Sequence, residues 1–212
     1  MLKEVKYPSN YVVWDLETTG LDWSFCDILE IGVIVVKDGV AVEEKSWLLN
    51  SGKEVPELIV GITGITTELI QREGRNPAEC YREALNYLKF TDKDCPNLTH
   101  NGVKFDIPFF AGCASRELGY NATQQQELLN NMFGSSIDSA VMMKAKKMGM
   151  HRNWNESFHQ YAERVMRVIM KGVKYNVGIC CDELEISRQG ITQHRALADC
   201  YLTNEIYKKL IA

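Results

Sequence analysis

Three short stretches of this chain each set an acid where the surrounding pattern calls for an apolar side chain. The first is Tyr11-Val12-Val13-Trp14-Asp15-Leu16-Glu17, a β-rich run that ends in two acids. Two residues apart on a strand, Asp15 and Glu17 point to the same face. Like charges so placed repel unless a cation or a donor lies between them. A solvated strand end before a turn is the plainer explanation for this pair taken alone.

The second is Asp106, which has Phe109, Phe110 and Cys113 at +3, +4 and +7. On a helix that spacing sets the acid on the apolar stripe. Pro108 marks a helix start nearby, so capping by Asp106 is the competing explanation. The third is Asp199, followed at +3, +7 and +11 by Leu202, Ile206 and Leu210, again the buried face of a helix. Ala196 and Ala198 are small and would let this helix approach a sheet closely. His194 would lie roughly 140° around the axis from Asp199 if both were helical. It is therefore placed on the loop before the helix, free to swing over a site.

Any one of these features has a bland account, but the three together do not. Four carboxylates that converge repel strongly unless divalent cations hold them. Oxygen-rich clusters of this kind suit Mg²⁺ or Mn²⁺. Two such ions about 3.5–4 Å apart are the usual apparatus of phosphodiester cleavage.

The rest of the chain supplies a scaffold. Apolar residues make up 45% of its 212 residues, enough for a real core. Strands are expected at Tyr11–Leu16, at the almost continuously apolar Ile28–Val36, and at Val40–Leu49. Lys37-Asp38-Gly39 makes the turn between the last two. Asn76-Pro77-Ala78-Glu79 reads as a helix start, with Tyr81, Ala84, Leu85 and Leu88 as its apolar face. A short strand over Asn97–Thr99 leads to a helix ending near Leu118. Further helices are expected over Asp138–Met148, with Asp138 as a cap, over Ser157–Met170, and from Ala196 to about Leu210. Residues 171–190 read as a hairpin or an irregular insertion.

Composition narrows the setting. No run of 18 apolar residues is present, so no membrane span is expected. Met1–Asn10 lacks a leader's apolar stretch, and the seven cysteines are odd in number and form no CxxC pair. An intracellular, cytoplasmic protein with free thiols is expected. A net charge of −4 argues against tight duplex binding but not against an enzyme that gathers cations and grips a few nucleotides.

The three stretches resemble the three motifs of the DEDDh 3′–5′ exonucleases, the DnaQ-like group that includes polymerase proofreading subunits. Asp-x-Glu-x-Thr-Gly is matched by Asp15, Glu17, Thr19 and Gly20. His-Asn-x-x-Phe-Asp is approximated by His100, Asn101, Phe105 and Asp106, with one extra residue before Phe105. His-x-Ala-x-x-Asp is matched by His194, Ala196 and Asp199. Glu30-Ile31-Gly32 and Gly61-Ile62-Thr63 also look like family features. The likeness runs from Tyr11 to Leu210, so residues 1–212 are taken as a single exonuclease domain.

The resemblance implies an α/β fold with a ribonuclease-H-like mixed sheet, its first three strands antiparallel, flanked by helices. It implies that Asp15, Glu17, Asp106 and Asp199 hold two Mg²⁺ or Mn²⁺ ions and that His194 is general base on the attacking water. Thr18, Thr19 and Leu21 would line the pocket for the terminal nucleotide, although Leu21 fits a plain turn residue equally well. His100, Asn101 and Phe105 are further substrate candidates. The expected substrate is a single-stranded DNA 3′ end, released as nucleoside monophosphates. RNA end trimming and a noncatalytic, polymerase-associated subunit are the alternatives. A DNA polymerase or a replication or repair complex is the expected partner.

Overall fold

The structure, a computed structural model, describes residues 7–88, 95–153, 155–191 and 194–212. The start of the chain read above for a leader lies largely outside these residues. In chain order the elements are β1 (Tyr11–Thr18), β2 (Ile28–Lys37), β3 (Val40–Leu48), α1 (Glu57–Thr63), α2 (Thr67–Glu73) and α3 (Pro77–Leu88). Then follow β4 (Asn97–Thr99), α4 (Asp106–Leu118), α5 (Ala122–Gly134), β5 (Ser136–Asp138) and α6 (Ser139–Met148). The chain closes with α7 (Phe158–Arg167), α8 (Val177–Glu183) and α9 (Ala196–Ile211).

The strands form one sheet in the order β3-β2-β1-β4-β5. The first three are antiparallel, and β4 and β5 run parallel to β1. This is the mixed sheet flanked by helices that the sequence implied. Asp38 and Gly39 both take positive φ (49° and 77°), the conformation that a tight β2–β3 turn needs. The outer strand β3 is exposed along most of its length, and Glu43, Glu44 and Lys45 keep that edge charged.

Period-two alternation along β1 sorts its side chains between two cores. Val12, Trp14 and Leu16 pack with Tyr81 and Ala84 of α3 and with Phe109 and Phe110 of α4. Tyr11 and Val13 face the other way, toward Cys200 and Tyr207 of α9. Asp15 and Glu17 continue that second row, so the strand delivers both acids beneath α9. The helix can sit so low because Gly32, the partner of Asp15 in the β1–β2 ladder, has no side chain. A Cβ there would lie 2.5 Å from the carbonyl carbon of Ala196.

Some expectations change. Residues 171–190 hold helix α8 in place of a hairpin. Asn176 caps it, and Cys180 and Cys181 bury against Met143, Leu202 and Ile206. Glycines and β-branched residues obscured that helix in the sequence. Helix α7 stops at Arg167, not Met170, because Val168, Ile169 and Met170 turn outward to solvent. Helix α5, rich in Asn and Gln and only weakly apolar, and strand β5 were not foreseen.

Candidate active site

The acids come together at the end of β1. Asp106 opens α4 and is buried, and its carboxyl is drawn down by the nearby backbone of Leu16, the residue between Asp15 and Glu17. Asp199 enters from the first turn of α9. Oxygens of Glu17 and Asp199 and a ring nitrogen of His194 lie within 4.8 Å of one another. Asp15 and Asp106 stand close enough to this group to interact electrostatically with it.

The electrostatics follow from crowding. Burial, then repulsion from Asp106, Asp199 and Glu17, pushes the Asp15 carboxyl well above its ordinary range. Burial and the charges of Asp199, Glu30 and Asp106 push Glu17 up to about 8. Burial and Asp138 push Asp106 to about 7, against hydrogen bonds that favour its ionised form. Burial likewise raises Asp199. Such a cluster holds protons at neutral pH until cations replace them. An all-oxygen carboxylate set of this kind fits hard divalent ions.

Two residues hold the ends of this arrangement. Asp138 is the helix cap expected of it, its side chain accepting from Ala140 and Val141 at the start of α6. The same carboxylate accepts from the N–H groups of Asn101 (2.9 Å) and Val103 (3.1 Å), fixing the turn that leads to Asp106. Asn101 sits in that turn at φ 68°. Glu30 was noted in the sequence only as part of a motif. It holds Arg195 through two hydrogen bonds of 2.9 Å and accepts from the N–H of Ala196, the first residue of α9. An acid inside an apolar strand is the same anomaly that exposed Asp15, and it was the available signal for Glu30.

His194 lies on the loop before α9, exposed, with φ 62°. Its backbone N–H donates to Asp199 Oδ2 at 3.1 Å. The remaining candidates divide. Leu21 is 87% exposed in the β1–β2 loop, so it is not packed on the core. The Thr18 hydroxyl donates to the Gly20 carbonyl and that of Thr19 accepts from the Asp27 N–H, so both side chains shape this loop. Phe105 packs on Phe109, whose ring is buried. His100 departs from expectation. It is buried, and its ring nitrogens pair with Ser139 Oγ and the Tyr175 carbonyl, both at 2.8 Å. Its surroundings make it a tie between segments, with no ring nitrogen left for substrate.

A sheet of this order, with carboxylates gathered at the end of its central strand, defines a ribonuclease-H-like nuclease. The model of the exonuclease family that includes ribonuclease T matches residues 12–207. The chain belongs to that family, the DnaQ-like DEDD 3′–5′ exonucleases, which are metal-dependent enzymes.

Similar curated proteins include DNA polymerase III PolC-type of Mycoplasma genitalium, 32% identical over 101 residues, which are 48% of this chain and 7% of that protein. The PolC-type polymerase of Ureaplasma parvum is 24% identical over 94% of this chain and 11% of its own length. The 3′-5′ exonuclease DinG of Staphylococcus aureus is 30% identical over 48% of this chain and 11% of its own. The chain thus spans only a small part of these relatives. Among solved structures, E. coli exonuclease I in complex with a dA16 oligonucleotide superposes with a TM-score of 0.68 at 19% identity. That match covers 96% of this chain and 40% of the other, and it supports the fold.

Proposed function

We propose that this chain hydrolyses single-stranded DNA from the 3′ end, releasing nucleoside monophosphates. The observation that carries the reading is the convergence of Asp15, Glu17, Asp106 and Asp199 on one end of the sheet with His194 beside them. The four carboxylates would hold two Mg²⁺ or Mn²⁺ ions, which when bound supply charge neutralisation and polarise water and phosphate oxygens. His194, exposed and turned toward Glu17 and Asp199, takes the proton from the attacking water at a ring nitrogen. The Asp199 contact to its backbone N–H sets where the imidazole stands. Leu21 wedges against the terminal base, and the loop shaped by Thr18 and Thr19 receives the end.

Two of these relatives are named as DNA polymerases and the matched structure holds DNA, which favours DNA over RNA as the polymer. The PolC-type names support work beside a DNA polymerase, in proofreading or repair. No helix among the described residues is long and apolar enough to cross a membrane. The described cysteines are joined in no disulfide, in keeping with an intracellular setting.

The test is digestion of 3′-labelled and 5′-labelled single-stranded DNA and RNA with Mg²⁺, with Mn²⁺ and with EDTA. Metal-dependent release of mononucleotides from DNA 3′ ends is expected. Faster RNA digestion would move the substrate to RNA. A folded protein with metal and no cleavage would make the chain a noncatalytic subunit.

A further inference from the structure

We propose that the exposed stretch from Arg167 to Lys174 is a second contact site for single-stranded nucleic acid, gripping the strand upstream of the end held at the carboxylates. This rests on the exonuclease reading. From Arg164 to Cys181 the chain carries four cations and no acid, in a protein of net charge −4. Arg164 is taken by Glu156 at 2.7 Å. Arg167 is 80% exposed, 3.8 Å from Glu163. Among the described residues, Lys171 and Lys174 have no ion-pair partner. Between these cations stand three apolar side chains in solvent, with Ile169 95%, Met170 54% and Val168 39% exposed. Contiguous apolar surface flanked by charge marks a binding site more often than idle surface.

The stretch is pegged to the fold. Lys144 Nζ donates to the Val168 carbonyl at 2.8 Å, Lys147 Nζ to the Lys174 carbonyl, and His100 pairs with that of Tyr175. These pegs also fix its position. His100 follows β4, which runs parallel to β1, so its loop leaves the same end of the sheet that carries Asp15 and Glu17. Exposed Lys104, two residues before Asp106, adds a cation beside Lys144.

A cluster of acids repels a polyanion, so a strand delivered to it needs cations at the rim to hold its phosphates. Three or four such charges suit a few phosphates of a single strand, with Ile169 and Met170 against base faces. A membrane surface is less well served, since the stretch is not an amphipathic helix.

The experiment compares wild type with Lys171→Glu/Lys174→Glu, with the milder Lys171→Ala/Lys174→Ala, and with Ile169→Ser. Binding of a twenty-nucleotide oligothymidylate is read by fluorescence anisotropy in EDTA, where no cleavage occurs. Hydrolysis of three- and twenty-nucleotide strands is read with metal. Affinity for the long strand should fall about tenfold in the charge variants, and its salt dependence should flatten by about 1.4 in log–log slope, ~0.7 per lost phosphate contact. Hydrolysis of the short strand should be unchanged.

Equal binding of the long strand by wild type and all variants would overturn the proposal. Loss of binding to phosphatidylserine vesicles with the long strand still bound would overturn it in favour of a membrane contact. If wild type binds but cleaves nothing, the binding comparison still decides this site, and only the catalytic reading falls.

Discussion

Glu30 and Arg195, 165 residues apart in the chain, form a two-point ion pair, Nε to Oε2 and a terminal guanidinium nitrogen to Oε1, both at 2.9 Å. Burial pushes the Glu30 carboxyl up, but hydrogen bonds from Arg195 and Ser46 outweigh it and hold the group below its ordinary value. Because Arg195 lies between His194 and α9, the pair sets where both the histidine and Asp199 stand. Glu30→Ala should destabilise the fold by about 1–3 kcal/mol, since it strands the Ala196 N–H and one side of Arg195. It should also lower kcat more than it raises KM. Urea unfolding and steady-state kinetics read the two effects, and an unchanged kcat would confine Glu30 to the scaffold.

His194→Ala should lower kcat by roughly 10²–10⁴-fold, the usual weight of a general base. Mn²⁺ affinity, measured by calorimetry, should stay near wild type. A matching loss of affinity would make the imidazole a metal ligand, which its closeness to Glu17 and Asp199 also permits.

The raised carboxyl pKa values give a sign to the pH response. Glu17, at about 8 when folded against an ordinary 4.5, and Asp106, at about 7 against 3.8, keep protons that the unfolded chain has released. The contribution of these two groups to metal-free stability is therefore greatest below the ordinary values, declines as pH rises through the window up to about 8, and is lowest above it. Mg²⁺ should raise Tm more at pH 8 than at pH 6, because fewer protons compete for the oxygens. An increment that does not change with pH would place the bound ion elsewhere.

Gly32→Ala tests the closeness of α9 to the sheet. The new methyl would meet backbone atoms of Ala196 and Leu197 at 2.5–2.8 Å, and backbone cannot swing aside as a flexible side chain can. A loss of about 1–3 kcal/mol is expected from such overpacking. Activity should fall further than stability, as Asp199 and His194 move away from β1. Wild-type activity in a folded variant would mean that this approach is not needed for the site.

Leu21→Ala removes an exposed side chain and should leave Tm unchanged. If Leu21 wedges the terminal base, KM for single-stranded DNA should rise several-fold. An unchanged KM would return Leu21 to a plain loop role.

Much of this protein was legible because its anomalies were local. Asp15 and Glu17 share a face by the two-residue period of a strand, and Asp106 and Asp199 stand on apolar helix stripes, so each misplaced charge could be read from its neighbours. The antiparallel β1–β2–β3 unit was legible for the same reason, with continuous apolar strands and an Asp-Gly turn. Helix α5 was missed because its weakly apolar pattern carries little signal, and α8 because its burial depends on Met143, Leu202 and Ile206 far away in the chain.

The sequence by itself determined which acids stand out of pattern and on which elements they ride, since periodicity and charge are properties of neighbouring residues. Only the tertiary structure decided the partners. It gave His100 to Ser139 and Tyr175, Asp138 to the turn before Asp106, and Glu30 to the start of α9. Those pairings join residues 35 to 166 positions apart, and no local pattern records which distant donor will meet a buried acceptor when the chain closes.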